Sequence, residues 1–170
     1  MYHNKVYIAL GTNIGHWKNN FNQSVRLISQ IGFIKKYSSI YFSLPYGYEK
    51  QNFFYNSALE LETNLSPYHL LNELNRIEKI LQKNKRIENG PRKIDLDIIF
   101  YNKLILKSKE LTIPHYAAHL RDFVLLPLIE MDPFFIHPNK KETLITLYKN
   151  LEKKYVFKIK QRLKESLIIY

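Results

Sequence analysis

The chain has 170 residues, a formal net charge of +11 and no cysteine. That length suits one domain around one core, and the absent thiols exclude a disulfide framework and any thiolate metal site. The apolar run around residues 123–129 is far shorter than the roughly 20 residues that cross a bilayer, and MYHNKVYIALGTN lacks the layout of a secretory leader.

Residues 5–10 (KVYIAL) are predicted as a short strand, and residues 11–15 (GTNIG) as a turn. Trp17, Phe21, Val25 and Ile28 recur at helical spacing and predict a helix to about residue 31, stopped by Gly32. Residues 33–42 read as a second strand, 43–51 as a loop carrying Pro45 and Gly47, and 53–62 as a third strand. Ser66 caps and Pro67 opens a helix with Leu70, Leu71, Leu74, Ile77 and Leu81 as its buried stripe. Residues 82–91 are a basic loop ending in Gly90-Pro91, and 93–101 a fourth strand. Asn102-Lys103 is expected to turn the chain into a hairpin partner at 104–106; residues 111–115 are extended before Pro114. A helix from about 119 to 130 should bend or end at Pro127. A last helix spans 142–151, and 155–159 forms a late strand. No repeat or linker divides the chain, so a single domain over 1–170 is expected, with 155–170 as a basic C-terminal extension. The order β-α-β-β-α-β predicts an α+β fold, a ferredoxin-like α/β sandwich whose mainly antiparallel sheet is covered by helices on one face.

The positive charge suits a polyanion, whether nucleic acid, a membrane surface or a phosphorylated small molecule. A composition rich in Lys, Asn, Ile and Tyr accounts for it as well, and much of the excess sits in Lys153, Lys154, Lys158, Lys160, Arg162 and Lys164.

The stretch NGPRKIDLDIIFYN carries the chemistry. In a strand Asp95 and Asp97 share one face while Ile94, Leu96 and Ile98 share the other. Adjacent carboxylates repel unless a cation lies between them, and hard oxygen ligands at this spacing suit Mg²⁺ completed by water and phosphate. A solvated strand face is the plain alternative. Arg92 after a Gly-Pro turn, with Lys83, Lys85 and Arg86 just before, gives instead the layout of a metal–polyphosphate site. GTNIG is no P-loop, no protein-kinase glycine loop is present, and no Ser sits in a nucleophile elbow. His3, His69, His119 and His137 lack metal-ligand spacing. In LTIPHYAAHLRDFVLLPLIEMDP, His115, Tyr116 and Arg121 flank a turn, and either a phosphate site or ordinary loop and surface positions fit them. In SLPYGYEKQNFFYN, the aromatics and Asn56 could wall a slot for a flat heterocycle or simply fill core.

Taken in order, YIALGTNIG, SSIYFSLPYGY, FYNSALELET, GPRKIDLDIIFY and LTIPHYAAHLRDFVLLPLIEMDP resemble the 6-hydroxymethyl-7,8-dihydropterin pyrophosphokinase family over roughly residues 5–133. The resemblance implies transfer of the β,γ-diphosphate of ATP to the hydroxymethyl group of a reduced pterin, with release of AMP, in folate biosynthesis. It implies that Asp95 and Asp97 hold two Mg²⁺ ions and that Arg92 and Lys83 complete the catalytic group. It assigns Asn75, Glu78, Lys85, Ile98, Thr112, His115, Tyr116 and Arg121 to ATP, and Ser43, Leu44, Tyr46, Phe54, Asn56 and Phe123 to the pterin.

The departures cluster before Gly90. Lys83 and Lys85 stand where the family has arginines, Glu88 reverses a usual positive charge, Asn89 replaces a Trp, and Asn75 replaces Gln. Lysine keeps charge but loses the bidentate fork. The resemblance therefore implies a slower or weaker-binding enzyme, with residues 82–91 as a lid over ATP. A basic RNA-binding module would use the charge and aromatics but leaves Asp95 and Asp97 unexplained. A metal-dependent nucleotide-sugar transferase explains the acids but not the PHY…R segment. A cytoplasmic monomer acting on small molecules, with neither nucleic-acid nor membrane partners, is expected.

Overall fold

The computed structural model describes residues 4–81 and 90–162. At its centre is β1 (Asn4–Thr12), whose Val6, Ile8 and Leu10 are buried on one side and Tyr7 on the other. Along the chain follow α1 (Trp17–Ile28), β2 (Phe33–Tyr37), β3 (Ser39–Ser43), β4 (Phe54–Thr63) and α2 (Pro67–Leu81). Then come β5 (Asp95–Tyr101), β6 (Leu106–Lys107), β7 (Thr112–Ile113), α3 (Asp122–Met131), α4 (Leu144–Lys149) and β8 (Val156–Arg162). The main sheet has six strands in the order β5-β1-β4-β3-β8, with β2 also on β4, and each of its pairings is antiparallel. The α+β class thus stands, and no described helix is long and apolar enough to cross a membrane.

The helices lie on both faces, not one. Phe21, Val25 and Ile28 of α1 and Leu70, Leu74 and Ile77 of α2 pack on Val6, Ile8 and Leu10. On the opposite side Leu125 and Leu128 of α3 and Leu144 and Leu147 of α4 pack on Tyr7, Ala58 and Phe100. The late helices carry enough apolar surface to need a sheet face of their own.

Three boundaries differ from expectation, and of the two outcomes expected at Pro127 the helix does not end there. The strand expected over 33–42 breaks at Ser38, which is fully buried. Its N–H donates to Ala58 O at 2.9 Å, while its hydroxyl accepts the Ala58 N–H at 2.9 Å and meets Ser57 Oγ at 3.0 Å. A side-chain oxygen thus replaces a ladder carbonyl, and β2 and β3 pair with different halves of β4. Residues 104–106 do not pair with β5: β6 pairs with β7 in a separate two-stranded sheet, after a turn with Asn102 at φ 50. The helix expected from 119 starts as a 3-10 turn (Ala118–Leu120), breaks at the extended Arg121 and resumes as α3. Pro127 lies inside α3 without ending it, because Val124, Leu125, Leu128 and Met131 are buried around it and that packing outweighs the ~3 kcal/mol proline penalty. Gly32 must be glycine, since a Cβ there would lie 2.5 Å from Glu62 O.

Acids at the C-terminal end of α3 fix the helix to the sheet. Glu130 accepts from Ser39 N–H, Ser39 Oγ and Tyr41 Oη, at 2.9, 2.9 and 2.7 Å. Asp132 accepts from Tyr7 Oη at 2.7 Å and Lys5 Nζ at 3.1 Å.

Candidate active site

Strand β5 enters the sheet at its edge, and alternation along it sends Leu96 and Ile98 to the core while Asp95 and Asp97 stay half-buried on the other face. Pairing with β1 sets Asp95 opposite Gly11 and Asp97 opposite Ala9. These small residues keep the surface before the acids low; a Cβ on Gly11 would stand 3.7 Å from Asn56 Oδ1 and 4.0 Å from Asp95 Cβ. Glu78 of α2 pins the strand between its two acids, accepting the Leu96 N–H at 2.7 Å.

Arg92 donates to Asp95 Oδ2 at 2.7 Å, and its guanidinium lies 5.4 Å over the Phe54 ring. Its backbone is fixed by Asn13: the Arg92 N–H donates to Asn13 Oδ1 at 2.9 Å, and the Asn13 N–H donates to Arg92 O at 3.1 Å. The Asn13 amide also donates to Gln51 Oε1 and Asn52 O, at 3.0 and 3.1 Å. One side chain in the turn after β1 therefore ties together the two loops that flank the acids. No hydrogen bond or ion pair engages the Asp97 carboxylate among the described residues.

Opposite the acids, Asn56 of β4 donates to Ser43 Oγ at 2.9 Å and Tyr41 O at 3.3 Å, which fixes its amide. The break before α3 brings the Arg121 guanidinium 4.6 Å over Tyr46 and 5.9 Å over Phe123. One pocket collects Arg92, Asp95, Asp97 and Arg121 together with Ser43, Leu44, Tyr46, Phe54, Asn56 and Phe123. Its wall also takes in Ala9, Gly11 and Val124, which the sequence reading missed. Ala9 and Gly11 do carry a signal: they are the small residues at alternate positions of a strand that otherwise bears large ones.

The remaining expected residues lie beyond this lining. Asn75 is exposed on α2, Thr112 is half-buried on β7, and the Ile98 side chain is 4% exposed in the core. His115 donates its N–H to Ile99 O at 3.0 Å and accepts the Ala117 N–H on Nδ1 at 3.3 Å, which leaves the neutral ring's proton on Nε2. Burial lowers its pKa below the ordinary value; the Asp97 charge opposes that shift and Arg121 adds to it. Tyr116 is 70% exposed, its ring 4.7 Å from His115. Lys83, Lys85, Glu88 and Asn89 lie outside the described residues.

The family model described as 7,8-dihydro-6-hydroxymethylpterin-pyrophosphokinase (HPPK) matches residues 7–133. The folic acid synthesis protein FOL1 of Dictyostelium discoideum is 42% identical over 87% of this chain, and the match spans only 22% of that protein's length. The 2-amino-4-hydroxy-6-hydroxymethyldihydropteridine pyrophosphokinases of Aquifex aeolicus and Bacillus subtilis are 34% and 41% identical. They match 82% and 75% of this chain and 87% and 78% of their own lengths. Among solved structures, wild-type HPPK-DHPS of Plasmodium falciparum superposes with a TM-score of 0.70 at 16% identity, over 86% of this chain and 44% of that one. At that identity the likeness speaks for the fold alone.

Proposed function

The chain belongs to the 7,8-dihydro-6-hydroxymethylpterin-pyrophosphokinase family, whose named members support pyrophosphokinase activity in folate biosynthesis, and on that premise we propose how its pocket carries the reaction. The hydroxymethyl oxygen of 6-hydroxymethyl-7,8-dihydropterin bonds to the β-phosphorus of ATP. The bond from the β-phosphorus to the α,β-bridging oxygen breaks, that oxygen leaves on AMP, the hydroxyl proton is released, and the pterin diphosphate departs. One observation carries this reading: acids, arginines and a slot of rings with an oriented amide share one pocket. Diphosphoryl transfer calls for positioning and charge neutralisation rather than a covalent nucleophile, and this pocket is built for both.

The pterin lies among Tyr46, Phe54 and Phe123, with Ser43 and Leu44 at its edge. Asn56, held by Ser43 and Tyr41, offers its amide edge to the ring. ATP lies toward β7 and the Arg121 break, with Asn75, Glu78, Ile98, Thr112, His115 and Tyr116 along its path. Neutral His115 directs an Nε2–H donor to a phosphate oxygen. Arg121 has an Nε buried without a hydrogen-bond partner among the described residues, a further donor for phosphate. Arg92 neutralises charge on the transferred group, and Lys83 and Lys85 supply cations from the preceding segment of sequence.

Asp95 and Asp97 fit Mg²⁺ as a donor set. They are hard oxygens on one strand face that line the pocket beside Arg92 and Arg121, and no third acid or histidine joins them among the described residues. Two such ions, when bound, supply positive charge to the polyphosphate. The chain acts as a monomer in the cytoplasm on these small molecules, without nucleic-acid or membrane partners.

The test is product analysis. Purified protein with ATP, Mg²⁺ and the hydroxymethyl dihydropterin should yield AMP and pterin diphosphate in equal amounts. ADP in place of AMP, or no turnover, contradicts the proposal.

A further inference from the structure

We propose that Asp122 and Tyr155 form a buttress that sets the width of the pterin slot, which makes Tyr155 a positioning residue for the heterocycle; this rests on the pocket reading above. The family match ends at residue 133, yet the chain beyond it packs against two rings of the pocket wall. The Tyr155 ring stands edge-on to Tyr46 at 5.4 Å and to Phe123 at 6.1 Å, and those two rings are themselves 6.1 Å apart. The three form a closed set of edge-to-face contacts, the arrangement that aromatic quadrupoles favour.

The backbone of residue 155 is fixed from two directions. Asp122, 1% exposed, accepts the Tyr155 N–H at 2.7 Å and the Val156 N–H at 2.8 Å on Oδ2, and the Phe123 N–H at 2.9 Å on Oδ1. From the other side the Leu44 N–H donates to Tyr155 O at 3.0 Å, and Ser43 pairs with Val156. A buried carboxylate is costly unless hydrogen-bonded, and here three backbone N–H groups satisfy it. The residue between Arg121 and Phe123 thus holds the C-terminal segment, and that segment holds the ring of Tyr46, which is otherwise 37% exposed. Without Tyr155, Tyr46 and Phe123 keep Arg121 over their faces but lose the ring behind them, more of their ordering falls to the pterin, and immobilising side chains on binding weakens affinity.

Because Asp122 and Leu44 grip the backbone of residue 155, truncating its side chain leaves the clamp intact. Tyr155→Ala should raise the pterin KM and the directly titrated pterin Kd about tenfold, with kcat and the ATP KM within about twofold of wild type. Tyr155→Phe keeps the ring and should recover most of the affinity; Tyr155→Leu replaces Tyr155→Ala if that variant does not fold by circular dichroism. Unchanged pterin binding in Tyr155→Ala overturns the buttress alone, as does a parallel rise of both KM values. If the wild-type protein neither binds nor turns over the pterin, the pocket reading falls and the buttress with it.

Discussion

The two edges of the main sheet make opposite use of their position. β5 carries acids on one face at its start and apolar residues behind them; Asp95 meets Arg92, Glu78 accepts the Leu96 N–H, and the small residues of β1 lie opposite the acids. β8 leaves Phe157 and Ile159 53% and 61% exposed, and the residue just before it, Tyr155, held by Asp122, packs against the pocket rings Tyr46 and Phe123. On the proposed reading one edge supplies the chemistry, and removing its charged groups should cost activity rather than stability. The other supplies shape, and loosening its anchor should cost stability and pterin affinity before it costs rate.

The largest expected effect is at the first edge. Arg92→Ala should lower kcat by on the order of 10²–10³-fold in steady-state assays, while Arg92→Lys, which keeps charge without the fork, should recover part of it. A loss confined to KM would move Arg92 from the transferred group to ground-state binding. At the second edge, Asp122→Ala leaves the N–H groups of residues 155 and 156 without their acceptor. It should lower the unfolding free energy by about 3 kcal/mol in urea titrations, and an unchanged midpoint would remove the contrast between the edges. Ser38→Ala, at the junction that lets β3 reach β8, should cost about 1–2 kcal/mol with little change in kcat.

Histidine 137 probes the support behind β5. It is 2% exposed and edge-on to Phe100, and its Nδ1 accepts the N–H groups of Asn139 and Lys140 at 3.2 and 3.3 Å. Burial, helped by His119 and Lys140, lowers its pKa from 6.5 to about 4. The unfolded chain therefore binds the proton first as pH falls. The stabilisation is fully present above about 6.5 and is lost towards about 4, at up to about 1.4 kcal/mol per pH unit for one proton. His137→Asn, whose Oδ1 can replace Nδ1 as acceptor, should flatten that slope in urea titrations at stepped pH. The smallest effect is in the residues before Gly90: Glu88→Arg with Asn89→Trp should raise turnover, and a double variant no faster than wild type contradicts that expectation.

The first edge was legible in the sequence because its signals are local. Alternation around Asp95 and Asp97, the Gly-Pro turn before them and the helical stripe of α2 each lie within a few residues. What escaped reading depends on distant partners. The break at Ser38 depends on one hydroxyl meeting Ala58 and Ser57 across the sheet, and nothing in a run of strand-forming residues signals it. Asn13 fixes Arg92 from 79 residues away, and Asp122 fixes Tyr155 from 33. The hairpin expected after β5 failed for a related reason: the segment found a better partner in β7.

On the proposed reading the acids of β5 serve the transfer and not the fold. Asp97→Asn, assayed for AMP release and melted in parallel, tests it most directly. AMP formation should fall by about 10²-fold or more, with a melting temperature equal to or above wild type. Retained activity, or a clear fall in melting temperature that accounts for the loss, would contradict it.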